Sequence, residues 1–75
     1  MKEMQIKLTN ISDIRAFVNE VMLQEYEVDL VQGRYVIDAK SIMGIFALDL
    51  LNPITVKAHS DYPQDFFDKI SKFAV

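Results

Sequence analysis

The sequence predicts an α+β domain in the form of an open-faced sandwich, with helices covering one side of a four-stranded sheet. Two observations carry this. Four short segments alternate apolar and polar residues with the period of two that sets one face of a strand on a core, and three others space their apolar residues as one stripe of a helix. Their order along the chain is β-α-β-β-α-β-α. Strands with one polar face, and helices on the crossovers, put all the helices on the same side. Periodicity does not fix strand order, so on this ground alone a ferredoxin-like arrangement fits equally well.

Met4, Ile6 and Leu8 alternate with Gln5, Lys7 and Thr9, which predicts a first strand over Met4 to Leu8. Ile14, Phe17, Val18, Val21 and Met22 then form a helical stripe, giving a helix from about Ser12 to Leu23 capped by Asn10 or Ser12. Tyr26, Val28 and Leu30 alternate with Glu25, Glu27 and Asp29 as a second strand, and Gln32-Gly33-Arg34 is a turn centred on the permissive glycine. Tyr35 to Ala39 returns as a third strand. Ser41 stands at an N-cap position before a short helix over Ile42 to Leu50, which Asn52-Pro53 terminates. Ile54, Val56 and Ala58 mark a fourth strand. Phe66, Phe67, Ile70, Phe73 and Ala74 mark a closing helix with a wide apolar face.

Composition excludes several classes of function. The chain has 75 residues, 51% of them hydrophobic, which supports one domain over residues 1–75 with a core of its own. It contains no cysteine and a single histidine, His59, so it has no disulfide framework, thiol nucleophile, zinc finger or multi-histidine metal site. Eight basic and 11 acidic residues give a net charge of −3, with the basic ones scattered, which argues against a nucleic-acid partner. The most apolar stretch, Ile42 to Leu51, is interrupted by Gly44 and Asp49 and is too short to span a bilayer. Met1-Lys2-Glu3-Met4-Gln5 lacks the apolar run of a signal peptide, so the expected compartment is the cytoplasm. No cofactor and no metal are expected.

The stretch Asp38-Ala39-Lys40-Ser41-Ile42-Met43-Gly44-Ile45-Phe46-Ala47-Leu48 carries a resemblance. Its Lys-Ser-Ile-Met-Gly segment resembles that of the HPr/Crh family, the small histidine-containing phosphocarriers of the bacterial sugar phosphotransferase system and their catabolite-repression relatives. Element order, the Gly33 turn and chain length fit over nearly the whole sequence. The resemblance implies four antiparallel strands in the order one, four, two, three, with the three helices on one face. It also implies that Ser41, opening the second helix, is the target of a regulatory kinase. The family carries its phosphoryl group on a histidine inside a Gly-x-His-Ala-Arg-Pro box. Aligned on Ser41 without gaps, Asn10 falls at that histidine, Ser12 at the arginine and Asp13 at the proline, and no histidine occurs in the first 58 residues. An asparagine amide has no ring nitrogen to form a phosphoramidate.

Ser41 is thus both a helix cap and, through the resemblance, a regulatory phosphosite, where a phosphate would add about −1.5 to −2 charges. Helical spacing puts Ile42, Met43 and Phe46 on one side of the second helix and Ile45 and Leu48 on the other, the latter assigned to the core. The resemblance makes the first three a partner-binding surface, because the family meets its kinases, phosphoryl donor and transcriptional regulators there. His59, at the far end of the fourth strand from the first helix's start, is expected to be an ordinary surface residue. Glu25, Glu27 and Asp29 are read as a solvated strand face, and Asp13, Asp61, Asp65 and Asp68 as acids near helix N-termini. None of them makes a paired-carboxylate catalytic site.

The leading expectation is an HPr-like regulatory binding module rather than an enzyme or a phosphohistidine carrier. Its partners would be a phosphotransferase-system enzyme, an HPr-type kinase or a transcriptional regulator. Two alternatives stand beside it: an active phosphocarrier with an unorthodox acceptor, for which only His59 offers the chemistry, and a constitutive structural module, such as a homodimer that uses the second helix as a sticky surface.

Overall fold

The computed structural model describes residues 2–75. Its elements are β1 (Lys2–Ile6), α1 (Ile11–Met22), β2 (Val28–Gln32), β3 (Tyr35–Asp38), α2 (Ile42–Phe46), β4 (Ile54–Ala58) and α3 (Gln64–Ile70), the last running into a 3-10 turn over Ser71–Phe73. The strands form one sheet in the order β1-β4-β2-β3, with every pairing antiparallel. Both the element order and the strand order are those the sequence and its resemblance imply.

The alternation along each strand decides which face is covered. Ile6, Val28, Leu30, Ile54, Val56 and Ala58 are fully buried against the helices, where they meet Ile14, Phe17 and Val21 of α1, Ile45 of α2 and Phe66 and Ile70 of α3. Phe66 lies at the centre of an aromatic group, its ring 6.4 Å from Phe17, 6.5 Å from Tyr26 and 5.9 Å from Phe67. Residues of the opposite phase, Glu3, Lys57 and Asp29, sit side by side across the uncovered face, with Lys57 Nζ 3.5 Å from Glu3 Oε2.

Several boundaries differ from those the periodicity predicts, each for a long-range reason. β1 ends at Ile6 rather than Leu8, because its partner β4 begins at Ile54, opposite Ile6. Beyond that point Lys7 donates its amide to the Phe73 carbonyl at 2.9 Å, while Leu8 stays buried outside any strand. β2 begins at Val28, two residues later than Tyr26, because its partner β4 ends at Ala58, opposite Val28, so Glu25 and Glu27 precede the strand and do not share a strand face with Asp29. α2 is only five residues long and stops at Phe46 rather than Leu50. Asp68 is likewise corrected: it lies in the second half of α3, where its carboxylate accepts from Gln64 Nε2 at 2.8 Å, and not at a helix N-terminus.

Gly33 opens the two-residue turn between β2 and β3 with φ +59°, a conformation that L side chains rarely adopt.

Candidate functional site

The site suggested by the sequence surrounds the short helix α2. After β3, the Asp38 carboxylate accepts the Lys40 amide at 2.9 Å and the Asp38 carbonyl accepts the Ser41 amide at 3.0 Å, which turns the chain off the sheet edge. Ala39, inside this turn, is fully buried and donates its amide to the Val28 carbonyl, which fixes the turn to the sheet. Ser41 then caps α2: its backbone is extended (φ −90°, ψ 97°) and its Oγ accepts the Gly44 amide at 3.0 Å. A Cβ at Gly44 would lie 3.0 Å from Ser41 Oγ and 3.1 Å from Ile37 Cδ1, so the glycine permits the helix to approach both the cap and β3.

The two sides of α2 separate as their spacing predicts. Ile45 and, just beyond the helix, Leu48 are buried in the core, whereas Ile42, Met43 and Phe46 are 39%, 80% and 46% exposed. Three large apolar side chains clustered within five residues beside an exposed serine make an apolar surface patch.

Local spacing carries no sign of what ends α2. The Gln32 side chain, at the end of β2, makes a two-way clasp with Asp49: Nε2 donates to the Asp49 carbonyl at 2.7 Å and Oε1 accepts the Asp49 amide at 2.7 Å. The Asp49 carboxylate in turn accepts from the Leu51 amide at 3.1 Å and Asn52 Nδ2 at 2.7 Å. These bonds take the backbone groups that a longer helix would use, and they tie the loop after α2 to the β2–β3 turn. A partner 17 residues away leaves no mark on a periodic pattern.

The start of α1 is arranged around an anion of its own. Asn10 is the cap, its Oδ1 accepting the Asp13 amide at 2.8 Å, which settles the choice between Asn10 and Ser12. Asp13 returns its carboxylate to the Thr9 hydroxyl at 2.9 Å and the Thr9 amide at 3.3 Å. A side-chain oxygen and a carboxylate therefore already occupy the positive end of this helix, and a second anion there would meet like charge.

His59 is remote from this end. β1 and β4 run antiparallel, with Ala58 opposite Lys2 and Ile54 opposite Ile6, so His59 lies beside the beginning of β1 while α1 starts beyond its end. Its Nε2 is 2.8 Å from Asp29 Oδ2 on the uncovered face of the sheet. Ser41 and the α2 patch are thus brought together, and neither Asn10 nor His59 joins them in a hydrogen bond or ion pair among the described residues.

Comparison with solved structures identifies the fold. The chain superposes on the crystal structure of HPr-C-His from Thermoanaerobacter tengcongensis with a TM-score of 0.79 at 23% sequence identity, covering 96% of this chain and 89% of that one. The fold is HPr-like. No protein-family model and no curated protein sequence matches the chain. Among the described residues no helix is long and apolar enough to cross a membrane.

Proposed function

We propose that this protein is a cytoplasmic, regulatory relative of the HPr phosphocarriers, one that binds other proteins through α2 and is controlled by phosphorylation of Ser41. The observation that carries this reading is the adjacency of an exposed serine cap and the exposed Ile42, Met43 and Phe46 on one five-residue helix. A phosphate placed beside an apolar docking patch changes that patch's charge by about −1.5 to −2, which is enough to switch a modest interface on or off.

Phosphohistidine transfer is disfavoured by the chemistry present. The one imidazole is paired with Asp29 at the wrong end of the sheet, and the α1 terminus carries Asn10 where the family has its acceptor and Ser12 where it has its arginine, with the Asp13 carboxylate beside them. The partners fitting this reading are an HPr-type kinase, a phosphotransferase-system enzyme or a transcriptional regulator of sugar uptake.

Binding of each of these partner classes to the wild-type chain and to Phe46→Asp, measured by biolayer interferometry, tests the proposal. The expected result is binding to the wild type and its loss in a variant whose thermal midpoint is nearly unchanged. Equal binding by both chains would remove α2 from the interface.

A further inference from the structure

The two edges of the sheet are treated differently, and the difference points to a second interaction surface. On the β1 edge, Ile6 bridges to Ala74, the Lys7 amide bonds to Phe73 and the Val75 amide bonds to the Gln5 carbonyl, so the residues after α3 cover part of that edge. Among the described residues, no strand pairs with the outer edge of β3. Tyr35 and Val36 are 64% and 63% exposed on it.

The ladder shows which backbone groups this edge offers. Val28 accepts from Ala39, so Val28, Leu30 and Gln32 direct their backbone groups at β3, and Ile37 and Tyr35 answer them. By the alternation of antiparallel pairs, Val36 and Asp38 direct their amides away from β2, toward solvent.

We propose that β3 pairs antiparallel with β3 of a second copy of this chain, centred on Val36, giving a two-fold dimer with one continuous sheet. That register sets Val36 against its own copy as a hydrogen-bonded pair. It also sets Tyr35 across from Ile37, an aromatic against a β-branched side chain, and Arg34 across from Asp38, twice by symmetry. The charges choose this occupant. Asp38 lies opposite Asp29 within its own sheet, a like-charge pair. Asp29 has His59 at 2.8 Å and Lys57 across from it on β4, but among the described residues neither Asp38 nor Arg34 has an ion-pair partner. One Asp38 oxygen accepts the Lys40 amide, and the other is left to take the guanidinium of the second copy. This surface is separate from the α2 patch, and the inference does not depend on the reading of Ser41.

The symmetry gives the test. Arg34→Asp and Asp38→Arg each place like charges across the seam, so each variant alone is expected to dimerise at least about tenfold more weakly than the wild type in sedimentation velocity. An equimolar mixture of the two restores both ion pairs and is expected to recover the dimer, with the recovery weakened by salt. Amide exchange of the wild-type chain provides a readout that needs no variant: the Val36 and Asp38 amides should become protected as concentration rises, while those of Tyr35 and Ile37, already bonded to β2, should not change. A chain that stays monomeric to millimolar concentration overturns the proposal. So does a mixture no more associated than its components, or a dimer that Phe46→Asp abolishes and the charge variants leave intact.

Discussion

The hydroxyl of Ser41 accepts the amide of Gly44 at 3.0 Å, and this bond is the only side-chain cap that α2 has among the described residues. A five-residue helix has little stability of its own, so its cap matters more than it would on a long one. Ser41→Ala should cost about 1 kcal/mol in urea denaturation, with the m-value unchanged. A loss near zero would show that packing of Ile45 alone holds the helix.

Gln32→Ala removes both bonds to the Asp49 backbone. At roughly 1 kcal/mol net for each hydrogen bond, the expected loss is about 2 kcal/mol, with the Asp49 amide exchanging faster than its neighbours. An unchanged midpoint with fast exchange confined to Asp49 would mean that water replaces the side chain at little cost.

Ile45 and Phe46 are adjacent in sequence and opposite in role. Ile45→Ala, at a fully buried position, should cost about 2–5 kcal/mol, whereas Phe46→Ala should fall well short of the roughly 3–5 kcal/mol of a fully buried phenylalanine. Thermal denaturation of the pair checks this. Equal losses would place Phe46 in the core and dissolve the patch.

The separation of these two residues is legible in the sequence, because helical spacing alone divides Ile42, Met43 and Phe46 from Ile45 and Leu48. The alternation of Ile54, Val56 and Ala58, and the stripe from Ile14 to Val21, likewise mark the faces that the fold buries. The ends of elements are another matter. β1 stops where β4 runs out, Val28 rather than Tyr26 opens β2, and α2 yields to the Gln32–Asp49 clasp. Each end is decided by a residue far along the chain, which a local pattern does not register. At the start of α1, spacing leaves Asn10 and Ser12 equally good as caps, and only the 2.8 Å bond to the Asp13 amide distinguishes them.

Tyr26 gives a pH prediction. Its burial against Phe66, with a smaller contribution from the Asp65 carboxylate, raises its pKa above the ordinary 10.0 in the folded state. A raised pKa means that the fold favours the protonated phenol, so this contribution to stability is complete below pH 10 and is lost as pH rises through the folded-state value. Ultraviolet titration should show one tyrosine ionising later than a free phenol, and Tyr26→Phe should remove that late phase. A late phase that persists in Tyr26→Phe would assign it to another residue.

The proposed regulation at Ser41, in place of transfer through histidine, is decided by intact-mass spectrometry after two incubations. One contains phosphoenolpyruvate with the general phosphotransferase donor enzyme, and the other contains ATP with an HPr-type kinase. No added mass is expected in the first and a single phosphate in the second, mapped to Ser41 and absent from Ser41→Ala. Stoichiometric, acid-labile phosphate on His59 in the first incubation, or ATP-dependent labelling that survives Ser41→Ala, would overturn the proposed role of Ser41.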